Sequence, residues 1–168
     1  MNLSKYFYLV CCLLSFLTPV SMVFAQDGTT KIILLRHSEK DTTGSDPTLS
    51  EAGRQRAARL PEVFRKFEPD LFYSTRTRRT IQTVQGWAAK KGREIRFYDP
   101  RQLRAFADTL RQQHGKTIVV VGHSNTMPML VNELTGTSGL GALDESVYGK
   151  AWIVSIKEDK VKAEEVNY

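Results

Sequence analysis

Along most of this chain, runs of aliphatic residues alternate with amphipathic stretches. Ile32, Ile33, Leu34 and Leu35 form an unbroken apolar run that stops at Arg36-His37. A run apolar at every position predicts a strand buried on both faces, as in a parallel sheet. Residues 117–121 repeat the pattern and end in Gly122-His123-Ser124. Shorter strands are expected over 70–74 and 94–98, the latter with Ile95 and Phe97 on one side. Two more, over 148–156 and 161–166, flank a turn at 157–160.

Between the strands the period changes to that of a helix. Ser50 is placed to cap a helix whose apolar stripe is Leu60, Val63, Phe64 and Phe67. Pro61 falls inside that stripe and predicts a kink or a restart. Ser74 or Thr75 caps a second helix, running to about Ala89, with Ile81, Val84 and Ala88 inward. Asp99-Pro100 opens a third, Asp as cap and Pro at the first position, with Leu103, Phe106, Ala107 and Leu110 as its stripe. Gly115 ends it. A fourth helix follows Ser124 and buries Met127, Leu130, Val131 and Leu134. Polar residues 41–47 and the glycine-rich stretch 135–142 read as loops. The alternation implies an α/β fold, a three-layer α/β/α sandwich with a mostly parallel central sheet. The chain has no internal repeats.

The N-terminus stands apart from this pattern. After Lys5 an apolar stretch runs over residues 6–24, and Val23 and Ala25 have the small-residue spacing of a signal-peptidase site. Cleavage after Ala25 is expected, leaving 143 residues as a single domain, 26–168, in an exported, periplasmic or secreted protein. An uncleaved membrane anchor is the rival reading, since the stretch is nearly long enough to span a bilayer. A lipoprotein is a third, because Cys11 and Cys12 lie here, although Val10 is not the small residue that would precede a lipidated cysteine. The expected mature chain therefore has no cysteine, which excludes disulfides, thiolate nucleophiles and cysteine metal sites together.

Without residues 1–25 the chain keeps 23 basic and 18 acidic residues. Much of the excess falls between Arg54 and Arg79. A basic chain is a candidate for nucleic acid, but no aromatic-interleaved basic motif accompanies the charge, and export argues against that partner. A field that draws in small anionic substrates is the more economical reading, part of the charge being simply solvated helix face. Any membrane contact would come through residues 1–25.

The candidate chemistry collects at strand ends. The first strand delivers Arg36 and His37; alone, such a dipeptide also reads as a surface turn. The second strand leads to Arg79, one helical turn in if Thr75 is the cap. The fourth delivers His123 after a glycine that permits close backbone approach. Ligands of open α/β sheets gather at this edge. Two arginines at one point repel each other and call for an anion, and a phosphoryl group accepts bidentate guanidinium contacts. Two histidines at strand ends suggest zinc, but no third His joins them at a strand end, the expected mature chain has no Cys, and no suitable carboxylate spacing supports a metal, so no cofactor is expected.

At this point the sequence resembles the histidine phosphatase superfamily, also called the phosphoglycerate mutase-like family. Arg36-His37-Ser38-Glu39-Lys40 matches its RH element, with Ser38 where Gly is usual. Leu49-Ser50-Glu51-Ala52-Gly53 is similar to its LS-x-x-G segment. Ser74-Thr75, followed by Arg79-Thr80-Ile81-Gln82-Thr83, is similar to its S-S-x-x-x-R-x-x-Q-T element, and Val121-Gly122-His123-Ser124 to its V-x-x-GH-[SG] element. The ordered set spans about two-thirds of the expected mature chain. The resemblance implies a small phosphorylated substrate, a phosphohistidine formed on His37, and Arg36, Arg79 and His123 holding the phosphoryl oxygens, with Ser124 and Asn125 available to bind substrate. Of the three arginines at 76, 78 and 79, only Arg79 fits the family spacing. Consecutive helical residues turn by about 100°, so Arg76 and Arg78 point elsewhere and are assigned to a basic rim.

The resemblance leaves the proton donor open. Larger relatives carry an acidic donor between the second arginine and the second histidine, where this chain is short. Asp99, Asp144 and Glu145 are the candidates, Asp99 also reading as a helix cap. Glu39 and Lys40 either serve His37 or form a surface ion pair. Asn125 and Thr126 line the pocket or cap the following helix. Hydrolysis of phosphomonoesters is the leading expectation. A mutase, a phosphohistidine phosphatase and a silent phosphate-binding module are the alternatives.

Overall fold

The computed structural model describes residues 28–168. The expected signal peptide, its cleavage site and both cysteines lie outside the described residues. Among the described residues no helix is long and apolar enough to cross a membrane.

Six strands form one sheet in the order β3-β2-β4-β1-β5-β6. They are β1 (Thr30–Arg36), β2 (Leu71–Ser74), β3 (Ile95–Phe97), β4 (Thr117–Gly122), β5 (Lys150–Lys157) and β6 (Lys160–Asn167). β3, β2, β4 and β1 are parallel; β5 runs antiparallel to β1, and β6 to β5. The aliphatic strands β1 and β4 lie side by side in the middle, in a register that sets Arg36 opposite Gly122. The sheet ends in a three-residue strand on one side and in the exposed, charged β6 on the other.

Side chains of β1 and β4 alternate between two cores, as the pleat requires. Ile33, Leu35, Val119 and Val121 face α1 (Glu51–Val63) and α2 (Arg78–Lys90), packed with Leu60, Phe64, Val84 and Trp87. Ile32, Leu34, Ile118 and Val120 face α3 (Leu103–Arg111) and α4 (Thr126–Thr135), packed with Phe106, Leu110, Met127 and Leu130. These are the three expected layers. Because the neighbours β1 and β4 feed helices on opposite faces, a crevice opens at their carboxyl ends.

The helix ends depart from the pattern-based expectation. Ser50 does cap α1, accepting from the Gly53 N–H. The helix passes through Pro61 without restarting and ends at Val63, for the proline sits in its last turn, where one missing bond costs little. Phe64 and Phe67 reach the core from beyond the helix, and Val63 is exposed. α3 begins at Leu103, not at Pro100, with Gln102 as N-cap. Asp99 instead closes a turn, its side chain accepting the Arg101 N–H at 3.0 Å and its carbonyl the Gln102 N–H at 3.1 Å. β5 begins at Lys150, which leaves Tyr148 free for the site below.

The segment after His37 is locked to α1 by close approach. A Cβ on Gly53 would overlap the Glu39 carbonyl oxygen, and that carbonyl already accepts the Ser50 N–H at 2.9 Å. Gly53→Ala is expected to destabilise the fold by about 2–4 kcal/mol, as other forced overpacking does. Gly86→Ala, on the open face of α2 with nothing within 4 Å of the new methyl, should instead stabilise by up to about 1 kcal/mol. Urea unfolding of the two variants compares them directly; equal effects would refute the contact.

Candidate active site

Arg36 ends β1 with no solvent exposure. Its Nη1 donates to the carbonyls of Asp144, Glu145 and Val147 at 3.0, 3.1 and 2.8 Å. Its Nη2 donates to the Glu145 carboxylate at 2.8 Å, and the guanidinium lies over the Tyr148 ring, 4.1 Å from its centroid. A buried cation must be satisfied in this way or it would not stay charged. Its Nε–H alone is buried without a hydrogen-bond partner among the described residues, a condition it shares with the Nε–H of Arg79.

His37 follows, 3 % exposed, its backbone N–H held by the Gly122 carbonyl at 2.9 Å. Nδ1 is 2.8 Å from the Ser38 carbonyl oxygen. A carbonyl only accepts, so Nδ1 carries the proton and Nε2 keeps its lone pair. The Ser38 N–H donates to Thr83 Oγ1, which donates to the Arg79 carbonyl, so α2 is tied to the loop after His37 at the level of Arg79. Glu39 is taken up by Arg56, at 2.7 to 3.0 Å, and braces the loop against α1. Lys40 lies in the crevice wall.

The start of α2 differs from the expected one. The helix begins at Arg78, and its N-cap, Thr77, makes no side-chain capping bond. Asp46, from the loop after β1, supplies the cap: both carboxylate oxygens accept the Arg78 N–H at 3.1 Å. The same carboxylate lies 3.4 Å from Arg79 Nη1. Arg79 is therefore the second residue of the helix rather than its fourth, yet it alone of the three neighbouring arginines lines the crevice. Arg76 lies over the Phe97 ring instead, and Arg78 is exposed.

His123 leaves β4 through Gly122, where a Cβ would strike Met127 and the Tyr98 hydroxyl. Its N–H donates to Thr126 Oγ1 at 2.9 Å, so Thr126 fastens the turn into α4. The imidazole stands edge-on to that of His37, with centroids 5.6 Å apart. Arg79 Nη2 is 3.4 Å from its Nδ1, and Thr75 Oγ1 is 3.0 Å from its Nε2.

The structure thus gathers His37, Arg79, His123, Ser124, Asn125 and Glu145 around one crevice of about 490 Å³, with Arg36 buried beneath. Of the three acid candidates only Glu145 lines it. The Ser124 hydroxyl donates to Glu145 at 2.6 Å and, with Arg36, holds its pKa below the usual carboxylate range. Asp99 is bound by Arg101, which holds its pKa down to about 2. Asp144 is held low by the Ser146 hydroxyl and N–H. Asp46, Thr75 and Tyr148 were not legible as site residues, because each acts on a partner far along the chain. Among the described residues no group of three or more His, Cys, Asp or Glu side chains is arranged to hold a metal ion.

Residues 32–100 match the family model described as histidine phosphatase superfamily (branch 1). Over that stretch, which is less than half of the chain, the protein is similar to the histidine phosphatase superfamily. Solved structures of the superfamily share the fold. A protein assigned as the phosphohistidine phosphatase SixA of Agrobacterium tumefaciens superposes with a TM-score of 0.60 at 22 % identity, over 82 % of this chain and 98 % of the other. A mycobacterial glucosyl-3-phosphoglycerate phosphatase, solved with inorganic phosphate, gives 0.65 at 16 % identity over 82 % and 96 %. A phosphoserine phosphatase of Entamoeba histolytica gives 0.61 at 16 % over 80 % and 94 %. No curated protein matches the chain significantly. The matched residues include Arg36, His37 and Arg79, and His123 lies beyond them.

Both imidazoles are held neutral. Burial, then the charges of Arg79 and Arg36, lowers His37 from 6.5 to about 4, against the opposing pull of the Ser38 carbonyl. Burial, then the same arginines, lowers His123 to about 4. With folded pKa values depressed, the unfolded chain binds these protons first, so stability is full above pH 6.5 and is lost as pH falls toward 4. Urea midpoints are expected to fall between pH 6.5 and 5, above the carboxylate range, with a slope that decreases when His37 or His123 is replaced by Gln. A flat wild-type profile over that window would contradict the assignment.

Proposed function

We propose that the protein is a phosphatase that hydrolyses phosphomonoesters through a phosphohistidine at His37. The observation that carries this reading is the tautomer of His37, whose Nδ1–H is engaged by Ser38 and whose Nε2 is the free nucleophilic nitrogen. Nε2 attacks phosphorus, the P–O bond breaks, and the leaving oxygen departs with the bonding pair and takes a proton. Water then attacks the phosphohistidine, the P–N bond breaks, and the electron pair returns to Nε2. Arg79 and the remaining Nε–H of Arg36 hold the phosphoryl oxygens and offset charge in the transition state. His123, with Ser124 and Asn125, completes the crevice. The phosphatase names of the structural neighbours support the reaction class. Their differing substrates transfer nothing about this chain's own beyond a small phosphorylated compound.

From the N-terminal apolar stretch and the small residues Val23 and Ala25 we infer export, with release by cleavage after Ala25. Mass spectrometry of the mature N-terminus tests this; retention of residues 1–25, or a lipidated cysteine, would make it membrane-anchored.

One observation favours a second substrate reading. Among the described residues Glu145 is the only one of the three acid candidates lining the crevice, and Ser124 and Arg36 hold its carboxyl below the usual range, which makes it a poor acid for a basic leaving group. N-phosphoryl compounds such as phosphohistidine have leaving groups better suited to such a site. Rates across substituted phenyl phosphates and an alkyl phosphate separate the two. Steep loss as the leaving group becomes more basic favours the second reading, and a flat series requires an acid.

His37→Ala is expected to abolish turnover, and acid-labile phosphate should be trapped on the wild-type protein but not on this variant. Turnover should survive chelation; loss with EDTA and recovery with zinc would refute a covalent histidine. Arg79→Ala should lower kcat by at least about a hundredfold, the scale of losing a charged transition-state donor. Arg76→Ala and Arg78→Ala should chiefly raise KM, most at low salt. A crippling Arg78→Ala beside a mild Arg79→Ala would overturn the site drawn here.

A further inference from the structure

Besides the imidazoles, the crevice brings together three cationic side chains, Arg79 and Lys40 in its wall and Arg36 beneath. Two of them are already met by carboxylates, Arg36 by Glu145 and Arg79 by Asp46. Lys40 is not. Among the described residues no carboxylate lies within ion-pair distance of its ammonium, because those beside it in the chain and in the crevice are engaged elsewhere. Glu39 is held by Arg56, and Asp41 accepts the Thr42 N–H at 2.6 Å. Glu145 is taken by Arg36 and by the Ser124 hydroxyl.

The backbone fixes where Lys40 starts from. Three residues beyond His37, it forms a bridge with Leu49. On either side of that bridge the Asp41 N–H donates to the Thr48 carbonyl at 2.8 Å and the Ser50 N–H to the Glu39 carbonyl at 2.9 Å. The stem above this base is long and flexible, so the ammonium can follow a ligand. The crevice, at about 490 Å³, has room for far more than one phosphoryl group. In-line attack by His37 Nε2 sends the leaving group away from the imidazole, and the rest of the crevice receives it. Ala142 and Leu143 give that space an apolar wall, and Lys40 gives it a cation that the resting protein leaves unpaired.

We propose that Lys40 forms a second anion subsite, so that the crevice selects small phosphorylated compounds whose leaving group carries a further negative charge, such as a carboxylate. The phosphoryl group then lies with Arg36 and Arg79, the carbon skeleton against Ala142 and Leu143, and the second anion on Lys40. Apolar walls with a few placed charges are the usual form of a small-molecule site. The selection acts on binding, not on the chemical step. Its use in turnover rests on the reading under Proposed function; the subsite itself does not.

The test uses two phosphonates that cannot be hydrolysed, 4-(phosphonomethyl)phenylacetate and its neutral acetamide counterpart, which differ in the second charge. In calorimetry at pH 7 the intact wild-type protein is expected to bind the acetate about fivefold more tightly, the upper scale of one half-exposed ion pair. In Lys40→Met and in Lys40→Gln the two affinities should come within about twofold of each other, as the loss of that pair requires. Lys40→Arg and the rim variant Arg78→Gln should keep the wild-type preference. The corresponding aryl phosphates, whose phenols have similar acidity, should show the same preference in kcat/KM. Each ratio is taken within one protein, so a general loss of affinity or activity cancels. Equal affinities in the wild type overturn the proposal before any variant is made, as does a wild type that binds neither phosphonate. A preference that survives in folded Lys40→Met, or that Arg78→Gln removes equally, also overturns it, since the selection would then belong to the basic field as a whole. If Lys40→Met does not fold, Lys40→Gln and the wild-type ratio decide. A preference lost with Lys40, in a protein that turns over neither aryl phosphate, would sink the phosphatase reading and leave the subsite standing.

Discussion

A guanidinium carried into the interior at the end of a strand governs this structure. Arg36 has no solvent contact and must find its acceptors within the protein, and the segment 144–147 provides them through three carbonyls and a carboxylate. Tyr148 then covers the guanidinium face. Removing one member of such an arrangement leaves a buried charge unpaired, typically at a cost of about 3–5 kcal/mol. The loop closes its own turn, the Val147 N–H donating to the Asp144 carbonyl at 3.0 Å, and the arginine beneath anchors that turn over the site. Fold and site are the same set of interactions at this point, and neither can be altered alone.

The two arginines share a second property. Each meets one loop carboxylate, Arg36 with Glu145 and Arg79 with Asp46. These contacts differ in kind. Glu145 is close and doubly held, while Asp46 is longer-range and also serves the helix terminus. An arriving dianion meets guanidinium charge already partly offset, which keeps the empty crevice stable and tempers its affinity for phosphate. A site that released product slowly would gain nothing from stronger cations.

Much of this was legible in the chain. Continuous aliphatic runs marked β1 and β4, the helical stripes marked the faces of α3 and α4, and the spacing of Arg79 to Gln82 and Thr83 singled out one arginine of three. Thr83 shows why that spacing has physical content: its hydroxyl links the Arg79 carbonyl to the Ser38 N–H. The failures have a common cause. Ser74 and Thr75 looked like caps because local pattern counts only neighbours, whereas the acceptor at the start of α2 comes from Asp46, 32 residues before Arg78. Asp99 before Pro100 had the form of a helix start but closes a turn that lets Tyr98 stack on Phe106 at 4.2 Å. Contacts made across the fold leave no period in the sequence.

The sheet's two margins carry a consequence for how these molecules meet one another. β3 is three residues long and offers little for a foreign strand to join. β6 is eight residues long and, among the described residues, has one unpaired side, but Lys160, Lys162, Glu164 and Glu165 stand exposed along it. A second chain adding there would have to strip water from ammonium and carboxylate groups and set some of them against their own kind. That penalty falls on sheet-to-sheet stacking in crowded solution, and it keeps the open margin from seeding fibres while leaving the catalytic edge of the sheet, at right angles to it, unobstructed.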